Sequence, residues 1–152
     1  MKQSYASVYS KFEELLYQKY ELTMLLSLTS KLLQSEISHY DWVGFYLSDS
    51  EKNVLILGPY SGAPTDHTHI PYGKGICGQV AESCQTMVIQ DVSQQDNYLA
   101  CSMDVQSEIV VPILKNGLFI GEIDIDSHAF APFTKEDEHF LTAIAEKVAM
   151  LF

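Results

Sequence analysis

The chain has 152 residues, 47% of them hydrophobic, and its 20 acidic and 9 basic side chains give a formal net charge of −11. This length and composition predict one globular domain with a core of its own. The negative charge disfavours nucleic acid and anionic membranes as partners. No apolar run reaches the length of about 18 residues that a transmembrane helix needs, and the first residues are too polar for a signal peptide. We therefore expect a cytoplasmic protein.

Sequence periodicity predicts a helical first segment. Apolar residues recur at three- and four-residue steps from Tyr5 to Leu32, which indicates helices over residues 2–36 with a break near residues 19–22. We expect these helices to pack on a sheet, and the alternative is a helix pair that forms a dimer.

The rest of the chain alternates between strand-like runs and turn signals. The patterns predict a strand (41–47), a turn (48–53), a return strand ended by Pro59 (54–60) and a loop (61–72). A short helix (77–84), a strand (87–90), a polar loop (91–97), a hairpin (109–125) and a final helix (134–151) follow. Thr134 followed by Asp137 forms a capping-box pattern at the start of that helix. This order indicates an α+β fold with an antiparallel sheet and helices gathered on one face.

Two histidines lie in the loop of residues 61–72. His67 and His69 have imidazoles, which are common metal ligands, but a His-x-His pair without further ligands at suitable spacing is a weak signal. We predict no metal site and a solvated loop.

All three cysteines lie in one stretch between Gly73 and Pro112. Cys77, Cys84 and Cys101 are expected to be free thiols, ligands or catalysts, because structural disulfides are rare in the cytoplasm. Without other information, Cys101 could equally be a small buried apolar side chain.

Acidic residues follow the cysteines on two strands. Glu108 stands at the start of one strand, and Glu122, Asp124 and Asp126 share one face of the next because side chains in a strand alternate. On the earlier strand, Trp42 and Tyr46 share a face and either line a pocket or pack on the sheet. A thiol near several carboxylates is unusual in a structural core, so the pattern predicts a functional site.

Taken together, the motifs carry a family resemblance. The segments DWVGFYL, LGPYSG, IPYGKGICG, QDV followed by LAC, SEIVVPI, IGEIDIDS and FTKEDE resemble those of the free methionine-(R)-sulfoxide reductases, which are single-domain GAF proteins. The resemblance implies one GAF domain over residues 1–152, with N-terminal helices over 1–38 and the sheet, pocket loops and C-terminal helix over 39–152. It implies a six-stranded antiparallel sheet, with the N- and C-terminal helices on one face, and a homodimer. It also implies a closed pocket for one amino acid, no bound cofactor, and electrons from a thioredoxin-type dithiol.

The resemblance also implies roles for individual residues. Cys101 falls on the nucleophile of the family and Cys77 on a second family cysteine. The pocket carboxylates and the aromatic wall fall on Glu108, Asp124, Asp126, Trp42 and Tyr46. His67 stands where the family has its usual resolving cysteine, and Cys84 is an additional cysteine.

These residues support a specific chemistry. The Cys101 thiolate attacks the sulfoxide sulfur, and the product is methionine and a cysteine sulfenic acid. Glu108 beside Asp124 or Asp126 supplies a proton, because crowded carboxyl groups raise each other's pKa. The same acids suit the substrate ammonium, while Trp42 and Tyr46 suit its S-methyl end.

The histidine at position 67 leaves three interpretations open. Cys77 or Cys84 resolves the sulfenic acid, a low-molecular-weight thiol reduces it directly, or turnover is lost. In the last case the chain is a non-catalytic GAF module that binds a small ligand or senses oxidation. A weaker hypothesis is a structural dimer whose thiols respond to oxidants.

Overall fold

The computed structural model describes residues 4–99 and 103–152. Within them, the helices are α1 (Tyr5–Tyr17), α2 (Leu22–Glu36), α3 (Gly75–Ser83) and α4 (Lys135–Ala149), and the strands are β1 (Trp42–Asp49), β2 (Val54–Ser61), β3 (His69–Pro71), β4 (Met87–Ile89), β5 (Ser107–Lys115) and β6 (Leu118–Ser127). The strands form one antiparallel sheet in the order β3-β2-β1-β6-β5-β4. The expected six-stranded α+β fold is confirmed.

The two faces of the sheet carry different layers. On one face, the main core packs α1, α2 and α4 against apolar side chains of β1, β5 and β6, among them Val43, Phe45, Ile123 and Ile125. This confirms that the N- and C-terminal helices share a face. The short helix α3 instead contacts the opposite face, where a second cluster surrounds Tyr46 and Cys77. The candidate site lies in this second layer.

Local signals set the ends of the helices. The break between α1 and α2 falls at residues 18–21, and Lys19 has a positive φ of 55°, which turns the chain back. At the start of α4, the Thr134 hydroxyl accepts from the Asp137 N–H while the Asp137 carboxylate accepts from the Thr134 N–H, so the capping box is present.

The Asp137 carboxylate also joins three parts of the chain. Its Oδ1 accepts hydrogen bonds from Tyr5 OH at 2.5 Å and Tyr40 OH at 2.8 Å, and it lies 2.9 Å from His39 Nε2. Burial alone would raise the pKa of Asp137, but these donors and Thr134 lower it well below its ordinary value. The first helix is thereby tied to the last one.

Two strand predictions differ from the structure. The predicted loop of residues 61–72 contains β3, an edge strand that pairs with β2. The return strand β2 also continues through Pro59 to Ser61, because a β-bulge opposite Phe45 interrupts the ladder there. No helix among the described residues is long and apolar enough to span a membrane.

Candidate active site

The strand register places four acidic residues on one face of the sheet. In β5 and β6, Glu108 pairs with Asp126, Val110 with Asp124, and Pro112 with Glu122. In β1, Trp42, Gly44 and Tyr46 pair with Asp126, Asp124 and Glu122, respectively. All four acids are buried, since their exposed fractions do not exceed 4%. Buried carboxyls on neighbouring strands form an unusually polar patch in the interior.

Helix α3 lays a thiol on this patch. Gly78 allows the close approach, because a Cβ at this position would lie 2.6 Å from the Pro71 carbonyl oxygen. Cys77 is buried, and its Sγ lies 3.9 Å from Glu108 Oε2. Single ligand atoms of Cys77, Glu108 and Asp124 all lie within 4.8 Å of one another. Among the described residues, these three therefore form a candidate ligand set for a cation.

Burial determines the protonation of this cluster. It raises the pKa of Cys77 well above its ordinary value, and the negative charges of Asp124, Glu122 and Glu108 raise it further. Burial likewise raises the pKa of Glu122, with the Cys77 thiol acting in the opposite direction and Asp124 in the same direction. The pKa of Asp124 is also raised by burial, against the lowering effect of Glu108, Cys77 and His67. Burial therefore favours the protonated form of each of these three groups.

Several oxygens of the cluster make no hydrogen bond of good geometry to a described residue. Asp124 Oδ1 and both carboxylate oxygens of Glu122 are buried and have no hydrogen bond of acceptable geometry to any described residue. The Cys77 thiol is close enough to lower the pKa of Glu122, but the thiol and the carboxylate do not have the geometry of a good hydrogen bond. Buried polar groups are normally satisfied, so this cluster is prepared for a cationic or hydrogen-bonding ligand.

A narrow pocket opens beside the cluster. Its described lining consists of Tyr46, His67, Ile70, Lys74, Gly75, Ile76, Cys77, Leu99, Glu108 and Asp124. The cavity between these side chains has a volume of about 10 Å³, which is room for about one water molecule. A ligand as large as an amino acid therefore needs the lining side chains to move apart.

A larger groove exists between α1 and α2. It is open to solvent, and its described lining, which includes Lys11, Gln18, Lys31 and Ser35, has no buried acid or thiol. The small pocket is therefore the better candidate site on chemical grounds.

The two predicted aromatic residues occupy different positions. Tyr46 lines the pocket, and its hydroxyl donates to the His67 carbonyl oxygen at 2.9 Å. Trp42 is not among the described lining residues. Its indole N–H donates to the Ala63 carbonyl oxygen at 2.9 Å, and its ring stacks on Tyr60 with 5.2 Å between centroids.

The three cysteines differ in their position relative to the pocket. Cys101 lies outside the described residues. The segment before it is tied to the start of α3, because the Asn97 side chain accepts from the Gly75 N–H at 2.8 Å and donates to the Gly73 carbonyl oxygen at 2.7 Å. Cys84 caps the far end of α3, about 10 Å along the helix axis from Cys77, and is absent from the described pocket lining.

Sequence reasoning did not select several residues of this site. Lys74, Ile70 and Leu99 line the pocket, and Glu122 belongs to the acidic cluster although no role was predicted for it. The alternation of side chains along β6 already placed Glu122 on the same face as Asp124 and Asp126, so this pattern could have identified it as a site residue. His67 was identified only as a departure from the family, whereas it lines the pocket and affects Asp124 electrostatically.

Comparisons with known proteins show the family of the chain. The GAF domain family model matches residues 21–152. The free methionine-R-sulfoxide reductase of Escherichia coli strain K12 is 35% identical over 144 residues, which are 95% of this chain and 86% of that protein.

Two solved structures are similar over nearly the whole chain. The free methionine-R-sulfoxide reductase from Neisseria meningitidis, in complex with its substrate, has a TM-score of 0.92 and 32% identity, covering 100% of this chain and 93% of that one. The fRMsr of Staphylococcus aureus, in complex with substrate, has a TM-score of 0.89 and 36% identity, covering 99% of this chain and 97% of that one. The chain therefore belongs to the GAF-domain family, and within it to the family of free methionine-R-sulfoxide reductases.

Proposed function

We propose that this protein reduces free methionine-(R)-sulfoxide to methionine, with Cys101 as the nucleophile. The supporting observation is the buried set of Glu108, Asp124 and Asp126 on one sheet face, in a chain of this family. An amino-acid ammonium group would offset the negative charge of such a set. The substrate complexes of two relatives support a pocket that accepts this class of ligand.

The proposed reaction transfers the sulfoxide oxygen to the cysteine. The Cys101 sulfur bonds to the substrate sulfur while the sulfoxide oxygen is protonated. The oxygen then moves to the Cys101 sulfur as the S–O bond of the substrate and the new S–S bond both break, which gives methionine and a Cys101 sulfenic acid. Asp124 is a suitable proton donor to the departing oxygen, because burial raises its pKa. Tyr46 would contact the apolar end of the substrate, and we propose Trp42 as a second wall that approaches when the pocket widens.

A second thiol then resolves the sulfenic acid with loss of water. The candidates are Cys77, Cys84 and an external thiol, and exchange with a thioredoxin-type dithiol restores Cys101. The protonated state of Cys77 makes it a slow nucleophile unless substrate binding or oxidation changes its surroundings. We further propose that no cofactor is bound, and that the protein acts as a homodimer in the reducing cytoplasm.

Turnover of purified protein tests the proposal. We expect methionine from the R epimer with dithiothreitol, none from the S epimer, and loss of activity in Cys101→Ser. No product from the wild type, or undiminished product from Cys101→Ser, would contradict it. Ligand binding by calorimetry without turnover would favour the non-catalytic module. Mass spectrometry of the oxidised protein identifies the resolving thiol, and light scattering gives the oligomeric state.

A further inference from the structure

We propose that the pocket is also a binding site for one thiophilic divalent cation of the Zn²⁺ class, held by Cys77 Sγ and the carboxylates of Glu108 and Asp124. These residues come from three elements, α3, β5 and β6, which the sheet register and the close approach of α3 bring together. His67 and His69, for which the sequence predicted no metal site, are not members of this set.

The distances suit a small ion. The three ligand atoms lie within 4.8 Å of one another, and Cys77 Sγ is 3.9 Å from Glu108 Oε2. Tetrahedral zinc with bonds of about 2.0–2.3 Å separates its ligand atoms by roughly 3.5 Å. Movements of less than about 1.5 Å, within the reach of side-chain rotation, therefore close the site around an ion.

The unpartnered oxygens are a second observation that points to a ligand. Asp124 is 1% exposed and Glu122 is fully buried, yet Asp124 Oδ1 and both Glu122 oxygens make no hydrogen bond of good geometry within residues 4–99 and 103–152. Cys77 and Glu108 lie close enough to lower the pKa of Asp124, and Cys77 also lowers that of Glu122, so the polar groups of the cluster converge without satisfying one another. Asp124 lines the pocket beside Cys77. Buried carboxylates are retained in proteins when they are paired or coordinate a metal. A cation at Cys77 would pair with Asp124 directly and lie close to Glu122.

The thiol determines which cation is preferred. Carboxylates alone suit Mg²⁺ and Ca²⁺, whereas a thiolate selects Zn²⁺ and its soft analogues Cd²⁺ and Co²⁺. Metal binding must displace the thiol proton, so the affinity should rise with pH and protons should be released. A water molecule would complete a four-coordinate shell around the ion.

Occupancy by the metal would close the amino-acid site. The ion uses Glu108 and Asp124, which the substrate ammonium also needs, so the two ligands should exclude each other. This exclusion rests on the proposed function, whereas the metal site itself does not. Free zinc would thereby act as a reversible inhibitor of the pocket.

Spectroscopy and calorimetry on the reduced full-length protein test the metal site. We expect one Zn²⁺ bound per chain, no heat with Mg²⁺, and a thiolate charge-transfer band on addition of Co²⁺. In Cys77→Ser the band should disappear and the Zn²⁺ affinity should fall by about tenfold or more, whereas Cys84→Ser, the matched control, should retain both. Circular dichroism shows whether each variant folds. Asp124→Asn is the second variant, and its affinity for Zn²⁺ should fall to a similar extent.

Several results would overturn the proposal. These are retention of the Co²⁺ band in Cys77→Ser, its loss in Cys84→Ser, and equal affinity for Mg²⁺ and Zn²⁺. A competition titration separates this proposal from the reductase function. If Zn²⁺ binds through Cys77 and its apparent affinity does not change with increasing methionine sulfoxide, the metal site stands and the proposed substrate pocket fails.

Discussion

The Cys77 sulfur lies 3.9 Å from the Glu108 carboxylate, in the interior of the protein with Asp124 beside both. A thiol in these surroundings keeps its proton, because burial and the neighbouring negative charges all raise its pKa. Cys77 is therefore a hydrogen-bond donor in the resting protein and not an activated nucleophile.

This position predicts selective alkylation of the cysteines. In the native protein at neutral pH, iodoacetamide should modify the half-buried Cys84 at least about tenfold faster than Cys77, because Cys77 is buried and burial raises the pKa of its thiol. Peptide mass spectrometry after timed quenching measures both rates. In urea the two rates should converge, and equal rates in the native protein would contradict the assigned environment of Cys77.

The acidic cluster also predicts how stability depends on pH. Burial raises the pKa of Glu122 in the folded state well above its ordinary value of 4.5, so the folded protein holds a proton that the unfolded chain releases above that pH. The stabilisation is complete below about pH 4.5 and is lost as the pH rises towards the folded pKa, by about 1.4 kcal/mol per pH unit. The effect of Asp137 on stability has the opposite pH dependence. Its lowered pKa stabilises the fold above about pH 3.8, and this stabilisation is lost on acidification.

The free energy of unfolding should therefore be highest at mildly acidic pH. Glu122→Gln removes one titrating group, so its free energy of unfolding should fall less between about pH 5 and pH 8 than that of the wild type. Urea denaturation at a series of pH values measures this. Glu136→Gln, an exposed change, is the matched control and should follow the wild-type curve, and an unchanged slope in Glu122→Gln would contradict the raised pKa.

The Asp137 cluster predicts a large loss of stability from a nearly isosteric change. Both carboxylate oxygens of Asp137 accept hydrogen bonds, Oδ1 from Tyr5 and Tyr40 and Oδ2 from the Thr134 N–H. Asp137→Asn has a single acceptor oxygen, so one of these two sets of donors would face an NH₂ group in the interior. We expect a loss of about 2–4 kcal/mol, seen as a lower urea midpoint. Glu136→Gln again serves as the control, and a loss below about 1 kcal/mol would show that the cluster is not stabilising.

The extent of prediction from sequence differs between parts of the fold. Side-chain alternation is local, so the shared face of Trp42 and Tyr46 and that of Asp124 and Asp126 were predictable from period two alone. The edge strand β3 was not, because three residues carry too little pattern and the strand exists through its pairing with β2. The passage of β2 through Pro59 likewise depends on a bulge in the pairing, which no local signal encodes.

The residues of the candidate site also differ in how far the sequence could predict them. The acids could be grouped from the strand pattern and Cys77 from the resemblance. The contribution of Lys74, Leu99 and Ile70 depends on how α3 and two loops fold over the sheet, which is tertiary information. The capping role of Asp137 was visible in its spacing from Thr134, whereas its contacts with Tyr5 and Tyr40 join residues more than ninety positions apart.

The contact between α3 and the sheet edge predicts a steric effect at Gly78. In Gly78→Ala the new Cβ would lie 2.6 Å from the Pro71 carbonyl oxygen and 3.0 Å from the Gly73 nitrogen, which are backbone atoms that cannot rotate away. We expect a loss of about 1–3 kcal/mol and weaker ligand binding, because α3 must shift and carry Cys77 with it. Thermal unfolding and calorimetry measure the two effects.

Gly117→Ala is the matched control for this change. Its Cβ meets nothing within 4 Å, but the positive φ of 80° should cost about 1 kcal/mol. Ligand binding should therefore be unaffected in Gly117→Ala although its stability falls. Equal binding in both variants would contradict the role of Gly78 in positioning α3.

The hydrogen bond from the Tyr46 hydroxyl to the His67 carbonyl oxygen predicts a kinetic effect in the proposed reductase. Tyr46→Phe keeps the buried ring but removes a donor at 2.9 Å, so the loop that carries His67 is held less firmly over the pocket. Stability should fall by about 0.5–1.5 kcal/mol, and KM should rise by about threefold to tenfold while kcat changes less, because the hydroxyl positions the pocket wall and does not contact the reacting sulfur. Tyr9→Phe, the same chemical change at a half-buried tyrosine on the helical face, should leave KM unchanged. A fall in kcat at constant KM in Tyr46→Phe would instead assign the hydroxyl to the chemical step.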